Sequence, residues 1–296
     1  MYIRLTCFLS AIFLCLFSIA QTSDWWERNV QWDGVTHWRH YIKFSPAYLG
    51  PNAIPVPSVT NGTVDSNHSV TVAAAAHFMP GDRTFNAVLK GSYCIVKNKV
   101  SVDAMWVPVE YFQMSHALKT ERHVFYLSYN NRKAIGDVHM NINIQLLDPA
   151  KYKHTLAVRV GYRYPTSSDV ASARMTDAPG YFFDASTGGS FSKSNKWRYT
   201  AMAGFLVWQL NNDIPQNDAF LFGAGIEYNH NRFQLQTNVA GYLGYLNNGD
   251  KPVVGRIKAG TVKPGFNWQL QLQQGFHDFR YSSVEVGTKY VFKIKQ

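Results

Sequence analysis

Ser115 and His116 stand side by side, and His123 and Ser128 follow within the same stretch. A serine and a histidine in hydrogen-bond reach, with a third group orienting the ring, make an acyl-transfer nucleophile of the kind a lipid-modifying enzyme uses. Adjacent residues do not automatically face each other, and no G-x-S-x-G elbow occurs. A polar loop is the simpler reading, and no catalytic residue is assigned. His37 and His40 have a spacing seen among metal ligands but lack a carboxylate or thiol companion. With no zinc-type helix motif and no phosphate-cradling glycine loop, neither a metal nor a cofactor is expected.

A larger group of polar side chains is placed by alternation. Asp137, His139, Asn141, Asn143 and Gln145 alternate with Val138, Met140, Ile142, Ile144 and Leu146; Arg159 and Arg163 alternate with Val158, Val160, Tyr162 and Tyr164. Glu227, Arg256, Lys258, Glu285 and Lys289 occupy equivalent positions further on. These groups can sort solutes by charge, or they can neutralise one another as a salt-bridge and amide network. The segment 173–184 adds Arg174 and Asp177, which could fold inward, pair and narrow a mouth.

Elements of two-residue period must hold these side chains. In 265–276, Phe266, Trp268, Leu270 and Leu272 alternate with Asn267, Gln269, Gln271 and Gln273, the pattern of a strand with one apolar and one polar face. Strands of soluble sandwiches usually stop after about five or six residues. Here the runs reach about ten with aromatic residues near their ends, as a membrane-spanning barrel requires. The fold expected is therefore all-β, an antiparallel transmembrane β-barrel. Turn-forming clusters at Pro80-Gly81-Asp82, Asp148-Pro149, Asn229-His230-Asn231 and Pro264-Gly265 separate twelve strands between 69 and 294. Fourteen is the alternative if 40–49 is a strand with an unseen partner. Placing the chain end in the periplasm leaves every long connection, including 113–133 and 166–179, on the outside, as bacterial barrels have it.

Three stretches follow from this reading. Residues 1–20 have Arg4, an apolar core from Leu5 to Phe17, then Ser18 and Ala20, which is the pattern of a secretory signal peptide. Residues 21–67 hold Trp25, Trp26, Trp32 and Trp38 with Pro46, Pro51, Pro55 and Pro57, a non-barrel segment that plugs the bore or forms a periplasmic lead-in. Residues 68–296 form the barrel. Cys7 and Cys15 belong to the signal, so Cys94 stands alone and no disulfide scaffold is possible.

Composition agrees with one face in lipid. Charged residues are 16% and aromatic residues 15% of the 296, against about 25% charged in soluble domains. Mean hydropathy of −0.21 fits a barrel, which averages its two faces. The net charge of +10 is scattered through strands and turns without a basic helix or stripe, which excludes nucleic acid as the expected partner. Lipid and small polar or anionic solutes remain as partners.

The stretches FSPAYLGPNAIPVP, AIGDVHMNINIQL and ARMTDAPGYFFD, with Gln21 directly after the signal, resemble the uncharacterised outer-membrane β-barrel proteins common in Bacteroidetes. The resemblance implies the outer membrane of a Gram-negative cell and insertion by the barrel-assembly machinery. It carries no substrate and no catalytic residue. The leading functional expectation is a passive pore or uptake channel for small polar or anionic solutes, porin-like and not an enzyme. A closed structural or surface-interaction barrel is the alternative, and a lipid-modifying enzyme the minor one.

Overall fold

Neighbouring stretches of alternating sequence bond to one another until the last meets the first. The computed structural model describes residues 24–148, 151–191, 196–209 and 216–292. The signal stretch, the chain end after Phe292 and all of 210–215 lie outside the described residues. The strands are β1 (Ser69–Met79), β2 (Asp82–Val96), β3 (Val100–Trp106), β4 (Glu110–Met114), β5 (Lys133–Ala134), β6 (Val138–Leu147), β7 (His154–Tyr164) and β8 (Gly180–Ser190). They continue as β9 (Trp197–Trp208), β10 (Asn217–His230), β11 (Phe233–Gly244), β12 (Val253–Thr261), β13 (Gly265–His277) and β14 (Ser282–Val291). Every pairing is antiparallel, and β1 bonds to both β14 and β2, so the sheet closes.

Twelve strands make the barrel wall, and the two additional ones are extensions of it. β3 and β4 both pair with β2, with Leu89 opposite Trp106 and Asn86 opposite Glu110. Four steps therefore face three, which is a one-residue bulge. Pro108 lies in the bulge, where its missing N–H costs no ladder bond. β5 and β6 repeat the division on the next strand, pairing with β4 and β3. Residues 40–49 form no strand; Trp38–His40 is a single 3-10 turn and the rest is turns.

Side chains sort by face. Val72, Phe85, Ile142, Val160, Ile257 and Trp268 point outward and are exposed, as a lipid-facing surface demands. Thr71, Thr84, Asn86, Arg159, Glu227 and Arg256 point inward and are buried. One end of the barrel carries tight turns such as those at Asn98 and Asn231; the other carries the long connections and the helix His116–Arg122. Ser115 caps this helix, its hydroxyl accepting from the Leu118 N–H at 3.3 Å.

Residues 24–66 begin over the loop end and finish at the turn end. Residues 24–30 are helical, and Trp26 is buried among Trp32, Tyr41, Phe125 and Tyr126. Its indole N–H donates to the His123 carbonyl at 3.3 Å. Trp25 packs edge-on to His116 and Tyr129, and Trp38 stacks on Phe125, so these tryptophans too are packed against the long connection 113–133. Ser45 donates to the Asn248 carbonyl at 3.0 Å in another long connection. The chain then turns into the barrel, and Ser66 reaches Asn98 at a turn-end hairpin.

The two faces of one strand give a direct test. Ile257→Lys puts a charge into the hydrocarbon and should cost about 2–4 kcal/mol, whereas Lys258→Gln on the inner face should cost little. Urea unfolding of both variants in lipid vesicles measures the difference.

Candidate functional site

Inside a barrel the wall supplies few free backbone groups, so an internal segment depends on side chains for its hydrogen bonds. Residues 50–66 are extended and irregular, and Pro51, Pro55 and Pro57 remove three N–H groups that would need acceptors. Their carbonyls meet donors on the wall. On β7, Arg163 Nη1 donates to Ala53 O at 2.5 Å, Arg159 Nη2 to Ser58 O at 2.9 Å, and Thr155 Oγ1 to Asn61 O at 2.7 Å. These wall residues are spaced by four on one inward face, so the segment descends as β7 ascends. From the opposite wall, Arg256 donates to Val56 O at 2.6 Å and Pro57 O at 3.2 Å. Lower down, Gln145 accepts from the Val64 N–H at 2.9 Å and donates to Gly62 O at 2.7 Å.

Glycines make the space. A Cβ on Gly188 would stand 2.5 Å from Asn61 O, and one on Gly223 would stand 2.5 Å from Val59 Cγ2. Gly62 itself has φ +70, and its Cβ would meet Ser186 O and Thr155 Oγ1 at 2.8 Å. Only glycine meets both demands there.

At the loop end the segment is locked by charge. Asp82, Glu110, Arg122 and Arg174 are fully buried and together neutral. Arg174 Nε donates to Glu110 Oε1 at 2.9 Å, and its Nη1 bonds Asp82. Arg122 Nη1 reaches the same Asp82 Oδ2 at 3.0 Å, and the Tyr281 hydroxyl donates to it at 2.8 Å. The Gly50 N–H donates to the carbonyls of Ala173 and Arg174 at 3.1 and 3.2 Å. Asn52 adds a bond to Glu110 Oε2 at 2.6 Å.

The residues singled out in sequence have different placements. His139, Arg159, Arg163, Arg256, Lys258, Glu285 and Lys289 border the cavity in the bore. Asp137 sits at the loop end of β6, where its carboxylate accepts from the Thr166 and Ser167 N–H groups, both at 2.9 Å, and lies 3.7 Å from Arg163 Nε. Glu227 accepts from Asn61 at 3.2 Å and Gln236 at 2.7 Å, on the far side of the segment. Arg174 and Asp177 do not pair: Arg174 turns inward to Asp82 and Glu110, while Asp177 binds Arg39 of the N-terminal cap. Sequence reasoning missed Asp82, Glu110 and Arg122. Acidic and basic residues at strand ends were the available signal, but nothing in the spacing pairs them.

The loop serine and histidines are engaged elsewhere. Ser115 caps a helix, the His116 ring packs edge-on to Trp25 and Tyr129, and His123 Nδ1 lies 2.8 Å from Tyr41 O. Burial pushes His123 below the usual histidine range, against the effect of that bond. One serine does meet a histidine. Ser283 Oγ lies 2.7 Å from His77 Nδ1, and His77 Nε2 lies 2.8 Å from Asn86 Oδ1. This relay faces inward and links β14, β1 and β2 where the barrel closes; it is not on the lipid-facing surface. Among the described residues, no group of three metal-ligating side chains occurs.

Beside the segment a cavity of about 430 Å³ extends along β1–β3, β6 and β12–β14, and reaches β7–β9 at Arg159, Arg163, Phe182 and Trp208. Small residues at Ala75 and Gly91 leave space, and Lys90, Lys258, Glu285, Lys289 and the glutamines of β13 line it.

This architecture is that of the outer-membrane β-barrels. An outer membrane channel from Pseudomonas putida F1 superposes with a TM-score of 0.56 at 11% identity, covering 81% of this chain and 97% of that one. The NanC porin superposes with a TM-score of 0.51 at 11% identity, covering 76% and 100%. No protein-family model and no curated protein matches the sequence.

The buried charge lock predicts a non-additive response. Arg174→Met leaves two carboxylates facing one arginine and should destabilise the protein by about 3–5 kcal/mol. Arg174→Met combined with Glu110→Gln keeps the cluster neutral and should cost less than the single change. Denaturant titration of the single and double variants in detergent reads the coupling.

Proposed function

We propose that the protein is an outer-membrane channel for small polar solutes, with a bore narrowed by its own residues 50–66. The observation that carries this reading is the unequal filling of the bore. The segment is bonded to β7 through its carbonyls, while a cavity of about 430 Å³ remains beside it, with Lys90, Lys258, Lys289 and the glutamines of β13 on its β2 and β12–β14 wall. A purely structural barrel of this size gains nothing from leaving lysines and glutamines unfilled at its centre.

In this reading the loop end faces outward and the tight turns face the periplasm. The lipid-facing band, flanked by exposed aromatics such as Phe85, Tyr181, Phe266 and Tyr290, supports residence in the outer membrane of a Gram-negative cell, reached through an N-terminal signal and the barrel-assembly machinery. Arg159, Arg163 and Arg256 are committed to backbone carbonyls. Any anion preference therefore comes from Lys258 and Lys289. No covalent chemistry is assigned.

The cap favours a second reading, a closed barrel that binds a partner at the cell surface. Residues 24–49 cover the loop end, and Trp32, Val35 and Leu127 are exposed there.

Planar-bilayer recording separates the two. The full chain should give small conductance steps, and Arg159→Ser combined with Arg256→Ser, which releases the segment, should give larger ones. Lipid-background conductance from both proteins would exclude the channel and leave the closed barrel.

A further inference from the structure

Lys258, Lys289, Gln269 and Gln271 border the cavity, and none of the four forms a hydrogen bond or ion pair with any described residue. They are free donors in a space that the rest of the bore fills. Lys90 is different, being held by Glu285 at 2.6 Å. The charges acting on Lys258 come from Lys90, Lys289, Glu285 and Asp65. Elsewhere on the lining, Asp103 accepts from Asn141 and Asn143, both at 2.5 Å, and the three arginines hold the segment. Asp65 also borders the cavity without a hydrogen bond or ion pair to a described residue, so the uncommitted charge is two lysines against one carboxylate and is net cationic.

Strand register orders these groups. Lys258 stands opposite Gln271, and Gln271 opposite Glu285. Lys289 stands opposite Thr71, and Thr71 opposite Lys90. Gln269 lies between these two rungs, opposite Gly287. The rungs are four residues apart on β14, about 13 Å at the usual rise. The two glutamines are two residues apart, about 7 Å. A lysine selects an anion, while amides, which donate and accept at once, match hydroxyl groups. A space of about 430 Å³ lies within the range of small-molecule sites.

We propose that this cavity is a binding site for a small hydroxylated carboxylate of the sugar-acid class, with its carboxylate on Lys258 or Lys289 and its hydroxyls on Gln269 and Gln271. The proposal rests on the channel reading only for how the ligand arrives; occupancy of the cavity does not depend on conduction.

Isothermal titration of the full-length protein in detergent tests it, with D-glucuronate, D-glucose and inorganic phosphate as probes at constant ionic strength. D-glucuronate should bind and D-glucose should not. Lys258→Gln combined with Lys289→Gln should weaken D-glucuronate by about tenfold or more, one charge-assisted contact being worth at least that. Gln269→Leu combined with Gln271→Leu should weaken D-glucuronate while leaving any phosphate binding unchanged. The proposal is overturned if the unmodified protein does not bind D-glucuronate, if D-glucose or phosphate binds as tightly, or if either double variant binds D-glucuronate as the unmodified protein does. Because no membrane is present, failure here is distinct from absence of conductance in a bilayer.

Discussion

Backbone polar groups cannot be left unpaired in hydrocarbon, and that constraint shapes the whole molecule. In the wall it is met by closure, with β1 bonded to both β2 and β14 so that the sheet has no edge. Inside, the same requirement is met without a ladder. The carbonyls of Ala53, Val56, Ser58, Asn61 and Gly62 are each satisfied by a wall side chain. Prolines reduce the number of donors the segment must place, and glycines on the wall bring it close enough for arginine to reach.

This arrangement changes what the inward charges do. An arginine that spends its donors on a carbonyl has positioned a chain and is no longer a free anion site. Arg159 also pairs with Asp184 at 2.7 Å, and Arg256 also binds Gln273 at 2.6 Å. What remains free is concentrated on the β12–β14 side, so the bore is asymmetric: one half holds protein and the other presents unpartnered lysine and amide groups.

Much of the wall was legible in the sequence because a barrel writes its two environments with period two. The twelve strands read between 69 and 294 correspond to the twelve of the wall, two of which are divided near Pro108 and Gly136 into β3 with β4 and β5 with β6. The inward direction of Arg159, Arg163 and Arg256 followed from the cost of charge in lipid. Their partners did not, because the acceptors are backbone carbonyls some hundred or two hundred residues away, and a carbonyl has no sequence signature. The Asp82–Arg174–Glu110 lock was hidden for a related reason: pairing among loop-end charges is decided by how loops fold over the mouth. Arg174 and Asp177 are three residues apart and look like partners, yet the chain between them sends one inward and the other to Arg39.

The wall arginines find their carbonyl acceptors only if residues 50–66 occupy the bore in the membrane. Val59 and Gly223 are close enough for a test: a Cβ on Gly223 would stand 2.5 Å from Val59 Cγ2, a position a cysteine sulfur at 59 can take, so sulfurs at the two positions come within bonding reach. In a Cys94→Ser background, Val59→Cys and Gly223→Cys should cross-link on mild oxidation of intact outer membranes, and mass spectrometry of the digested protein should recover the joined peptides. Recovery of both thiols singly alkylated, with no joined peptide, would contradict the threaded bore.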